Sequence, residues 1–121
     1  MNKIPRSSKE SETFLRSVLH EKAQVTLRPM FGNLAGFVHG KMFAGLYGDE
    51  LFIRLSEEDR GELLRVEGSS VFEPVAGRPM REYVVVPRSW RAQPARVKLW
   101  VARSLEWSGQ LPAKAKKAKK R

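Results

Sequence analysis

Apolar residues recur at two different periods along this 121-residue chain, and each change of period marks an element. Phe14, Leu15, Val18 and Leu19 fall at i, i+1, i+4 and i+5, which places them along one face of a helix. With Ser7 and Glu10 at capping-box spacing ahead of them, the pattern predicts a helix over residues 9–23. Pro29 and the glycines Gly32, Gly36, Gly40, Gly45 and Gly48 then break the helical period, while Phe37, Val38, Phe43, Leu46, Leu51, Phe52 and Ile53 supply β-formers between them. Residues 28–55 therefore read as three short strands of an antiparallel meander. His39-Gly40 suits a two-residue hairpin turn, with the glycine at positive φ, and Gly48-Asp49 closes the next turn.

Ser56 and Asp59 repeat the capping-box spacing, Leu63 and Leu64 give a short helix its apolar side, and Gly68 offers a stop. A strand pair follows around residues 71–73 and 80–86, the second rich in β-branched residues and ended by Pro87. From Pro94 the residues Val97, Trp100, Val101 and Leu105 return to helical spacing until Gly109. The order helix, three strands, helix, two strands, helix predicts an α+β domain, an antiparallel sheet of about five strands with helices packed against it.

Charge divides the chain. Of its 23 Lys and Arg, six lie in residues 112–121 (Lys114, Lys116, Lys117, Lys119, Lys120 and Arg121) with no acid beside them, so residues 1–111 hold 17 cations against 13 carboxylates. That final stretch has no large apolar side chain to offset the entropy of ordering, and it reads as a disordered basic tail after a folded domain of residues 1–111. The absence of cysteine excludes disulfides, thiolate metal sites and a cysteine nucleophile. No apolar run approaches the roughly 20 residues that span a bilayer, and residues 1–10 lack the apolar core of a secretory signal. The expectation is a cytoplasmic protein with no membrane partner.

One ordered set of short motifs goes further. Met30-Phe31-Gly32, Phe37-Val38, His39-Gly40, Lys41-Met42-Phe43-Ala44 and Leu51-Phe52-Ile53-Arg54 are followed by Phe72-Glu73-Pro74, Gly77-Arg78-Pro79-Met80-Arg81, Tyr83 and Val86-Pro87. Over residues 12–107 this set resembles the amino-terminal domain of the TfoX/Sxy family of competence regulators. The resemblance implies a TfoX amino-terminal-domain-like α+β fold in a stand-alone TfoX-like protein. It also implies a non-enzymatic role, without a cofactor, in control of transcription or of DNA-uptake competence. The full-length regulators carry a second, carboxy-terminal domain, where this chain is expected to have only the short basic tail.

Catalytic chemistry finds little support in the residues. Gly40-Lys41 looks like the end of a phosphate loop, but Ala35 and Met42 stand where a Walker loop needs Gly and Ser or Thr. His20 and His39 have no partner at ligand spacing, and Glu57, Glu58, Asp59 and Glu62 sit in the first turns of a helix, where carboxylates favour the macrodipole. No Gly-x-Ser-x-Gly elbow occurs. No catalytic, cofactor-binding or metal-binding residue is assigned.

Met30, Phe31, Phe37, Met42, Phe43, Phe52 and Phe72 read as core packing in preference to a cofactor pocket or a base-stacking platform. Lys41, Arg54, Arg78 and Arg81 are harder to assign to packing and define a candidate docking surface. The tail cations are candidate nucleic-acid contacts of the non-specific, salt-sensitive kind, since no aromatic residue among them can stack on a base. Attraction to anionic lipid is the weaker reading, for want of an amphipathic anchor. Two other classes stay open: an adaptor with an unknown protein partner and no nucleic-acid role, and a small-molecule enzyme.

Overall fold

Six strands and three α-helices make up the computed structural model, which describes residues 5–19, 24–30 and 32–111. The elements are α1 (Lys9–Leu19), β1 (Val25–Met30), β2 (Asn33–Val38), β3 (Lys41–Tyr47), β4 (Glu50–Arg54), α2 (Glu57–Leu64), β5 (Ser70–Val75), β6 (Arg78–Val85) and α3 (Pro94–Gln110), with a 3-10 turn at Arg88–Ala92 before α3. The strands form one antiparallel sheet in the order β1-β2-β3-β4-β6-β5. Consecutive hairpins build one half, and the α2 crossover delivers the second hairpin with β6 innermost. The expected α+β architecture, helices on one antiparallel sheet, is what the chain forms.

Two expectations need correction. The sheet has six strands and not five, because Val25–Met30 pairs along its length with β2 in spite of Pro29. Proline is tolerated there because β1 is an edge strand, with no further ladder to feed. The first helix is capped by Ser8 and not by Ser7, the Ser8 Oγ accepting from the Ser11 N–H at 3.1 Å. That helix is described to Leu19, so the expected extension through residue 23 lies outside the described residues. The other caps and turns agree with their residues. Ser56 Oγ accepts from the Asp59 N–H at 3.2 Å, and both His39 (φ 50°) and Gly40 (φ 78°) take the left-handed conformation that twists a two-residue hairpin correctly.

The main core lies between the sheet and the helices. Leu15, Val18 and Leu19 of α1 and Val97, Trp100, Val101 and Leu105 of α3 meet Val38, Phe43, Leu51, Ile53 and Val84 from the strands. Phe43 is fully buried at its centre. A bulge sits beside it, since Gly36 pairs with Ala44 and Phe37 with Met42, leaving Phe43 with no partner on β2. The Ser104 hydroxyl of α3, itself fully buried, donates to the Phe43 carbonyl at 2.8 Å. A polar side chain thus satisfies the backbone group that the irregular ladder leaves over.

Candidate binding site on the open face of the sheet

Strand alternation sends the other half of the side chains to the face away from the helices. There Phe52, Phe72, Tyr83 and Val85 form a second cluster to which no helix contributes among the described residues. Phe52 and Phe72 stack with ring centroids 4.1 Å apart, and Tyr83 meets Phe52 edge-on at 5.6 Å. Two hydroxyls tie the cluster to distant backbone: Tyr83 Oη donates to the Met42 carbonyl at 2.9 Å and Tyr47 Oη to the Pro74 carbonyl at 3.0 Å. Burial pushes the Tyr83 phenol above its usual pKa, which keeps it a donor.

The Tyr47–Pro74 bond fixes the β5–β6 hairpin against β3, and between them lies a cavity of about 420 Å³. Met30, Met42, Met80, Phe52, Phe72 and Val75 contribute to its wall, and Ala35 lies on its floor beside Gly45. Among the described residues no side chain that is charged at neutral pH lines it. The floor is thin because its residues are small: a Cβ on Gly45 would come within 2.7 Å of the Phe52 ring and 3.2 Å of the Ala35 methyl. The size is in the range of small-molecule sites, roughly 300–1,000 Å³.

Two exposed arginines stand beside lining residues of this cavity, Arg78 in register with Val75 and Arg28 two residues from Met30. Arg28 projects from β1 on the same face as Met30 and lies opposite Ala35 in register. Its guanidinium sits 4.1 Å from the centre of the Phe37 ring, and the neighbours of that ring on this face, Ala35 along the strand and Met42 across from it, both border the cavity. Arg28 is exposed and has no ion pair among the described residues.

The residues singled out from sequence are distributed differently. Lys41 is only 5% exposed and points to the helix side, where its ammonium donates to the Leu111 carbonyl at 3.0 Å, a cation at the carboxyl end of α3. Arg54 is paired with Glu82 at 2.6 Å. Arg78 and Arg81 are exposed at the β5–β6 hairpin, without ion pairs among the described residues. The four are not gathered into one exposed basic patch. The tail residues Lys114, Lys116, Lys117, Lys119, Lys120 and Arg121 lie outside the described residues, as do His20 and Phe31. Asp59 and Glu62 of the acidic group face Arg103, at 3.5 and 3.3 Å. Of the aromatic and methionine residues expected to fill one core, Phe43 does so, whereas Met30, Met42, Phe52 and Phe72 belong to the open face.

Sequence reasoning missed Arg28. The signal available was its two-residue spacing from Met30 on a strand, which puts both on one face. Among the described residues no three His, Asp or Glu side chains converge to hold a metal ion, and no helix is long and apolar enough to cross a membrane.

Fold and surface together describe a small α+β domain with one apolar recess and no assembled catalytic group among the described residues. The family model of the TfoX N-terminal domain matches residues 17–108, and the chain belongs to that family. No curated protein matches it.

Proposed function

We propose that this is a non-enzymatic regulatory protein that acts through macromolecular contacts, as the competence and transcription regulators related to its family do. In this reading Lys114, Lys116, Lys117, Lys119, Lys120 and Arg121 hold nucleic acid without sequence preference. The observation that carries the reading is the charge distribution in a member of this family: six cations and no acid within ten residues. Each lysine that neutralises a phosphate releases condensed counterions, so such a segment binds by salt-sensitive attraction and reads no bases. Several basic side chains of the folded part are already engaged, Lys41 with a carbonyl and Arg54 and Arg103 with carboxylates.

The test is titration of a fluorescent duplex and a single strand at two salt concentrations, with the intact protein and with a variant in which the six cations are neutral. Binding by the intact protein that weakens steeply with salt, and that the variant loses for unrelated sequences alike, is the expected result. Absence of binding by the intact protein at low salt overturns the proposal. A protein partner retained from nuclease-treated lysate would then favour the adaptor reading.

A further inference from the structure

We propose that the open-face cavity binds a medium-chain aliphatic carboxylate, with the hydrocarbon chain in the recess between Met42, Phe52, Phe72 and Val75 and the carboxylate against Arg28. Shape, lining and charge each support one part of this ligand. The recess has the size of a small-molecule site, about 420 Å³, and among the described residues its wall offers a ligand no charge. The phenol of Tyr47 is already bonded to Pro74. What enters must therefore be hydrocarbon, because a buried polar group would find no partner. Three methionines in the wall suit a flexible chain, since their side chains adapt to irregular shapes.

Charge selects the head group. Arg28 rests on Phe37, beside the Ala35 and Met42 border of the cavity, with no carboxylate of its own among the described residues. A guanidinium presents paired N–H donors that match a carboxylate. A chain lying in the recess with its acid end toward β1 would complete both requirements. The proposal calls on none of the tail cations.

The experiment uses the full chain with 13C-methyl-labelled methionine and monomeric hexanoate, octanoate and decanoate, followed by NMR and calorimetry. The chain has four methionines, and three of them line the cavity. The expected result is saturable displacement of the Met30, Met42 and Met80 methyl resonances. Affinity should rise about fourfold per added methylene until the recess is filled. Val75→Trp, at a lining position that is 51% exposed, should block uptake by tenfold or more while the melting transition is retained. Arg28→Gln should weaken decanoate about threefold to tenfold and leave 1-decanol unchanged.

No methyl displacement by any of the three acids overturns the proposal, and this readout needs no variant to fold. Decanol binding as tightly as decanoate, with Arg28→Gln affecting neither, overturns the carboxylate assignment. Binding to anionic phospholipid vesicles without uptake of the monomeric acids overturns it in favour of a membrane contact. A concentration-dependent dimer that occludes the three methyls overturns it in favour of a second copy of this chain.

Discussion

The two faces of the sheet are both apolar, and they differ in what fills the space above them. On one face, helices α1 and α3 bring Leu15, Leu19, Val97 and Val101 down between Phe43, Ile53 and Val84, all at most 2% exposed. On the other, Phe52 and Phe72 stack on one another and leave a recess beside them. The difference shows that apolar lining alone does not make a core. A core needs a second layer whose side chains interlock with the first, and among the described residues the open face has only its own curled hairpin to supply one.

The sharpest way to break this comparison is to truncate one ring on each face. Phe43→Ala removes a side chain packed on every side and should cost about 3–5 kcal/mol. Phe72→Ala should cost at least about 1 kcal/mol less, since the ring borders a recess open to solvent and its loss enlarges that recess without leaving a sealed cavity. Denaturant titration of both variants measures the gap. Equal costs would mean that the open face is packed as tightly as the covered one.

A smaller change tests the floor of the recess. Gly45→Ala places a methyl 2.7 Å from a Phe52 ring that is held by Phe72 on one side and Tyr83 on another. The ring has little room to yield, so overpacking should cost about 1–3 kcal/mol. Gly40→Ala serves as the contrast, because among the described residues nothing beyond its chain neighbours lies within 4 Å of a Cβ there and the strain comes from its positive φ. A loss at Gly45 accompanied by a changed Phe52 environment in NMR supports the close approach; an unperturbed ring would refute it.

Much of the fold was legible because local signals and tertiary packing agreed. Ser56 caps α2, His39-Gly40 turns the first predicted hairpin, and Val97, Trp100, Val101 and Leu105 face the core as their spacing requires. The strand Val25–Met30 was hidden by Arg28 and Pro29, residues that an edge strand accepts and a central one does not. The two-sided character of the sheet was harder to see. β2 is buried at all six positions, so its run of Leu34, Ala35, Gly36, Phe37 and Val38 carries no alternation that would separate the faces. The recess itself depends on how far the β5–β6 hairpin curls toward Tyr47, a contact 27 residues apart in the chain. Composition and period contain no measure of such a gap. Lys41 misled for a related reason: a lysine after a turn usually reaches water, and here the end of α3 lies within its reach.

A third test returns to the covered face, where one hydroxyl replaces a missing ladder bond. Ser104→Ala would leave the Phe43 carbonyl without its donor at the bulge, in a site that water does not reach. The expected cost is about 1–3 kcal/mol, toward the lower end because the smaller side chain introduces no clash. Ser104→Val should cost more, by adding volume as well. If Ser104→Ala proved neutral in denaturant titration, the bulge carbonyl would have another partner and the account of β2 and β3 would need revision.

The smallest effect expected is confined to low pH and involves the junction of α1 with the β3–β4 turn. Asp49 accepts from the Ser8 N–H at 2.9 Å and from the Ser11 hydroxyl at 2.7 Å, with Arg88 3.9 Å away. These bonds, that from the Ser8 backbone foremost, hold its pKa down to about 2 from the usual 3.8. A carboxylate whose pKa is depressed by folding stabilises the native state above its unfolded value and loses that contribution as pH falls toward the folded one. The window is therefore pH 4 down to 2, and above it the contribution is constant. Asp49→Asn should lower the melting temperature slightly at pH 7 and match the parent protein more closely as the pH falls through that window. Both serines remain in place, so the helix cap from Ser8 to Ser11 persists in the variant. A difference between the two proteins that stays the same from pH 7 to pH 2 would show that the charge of Asp49 contributes nothing to the joining of α1 to the sheet.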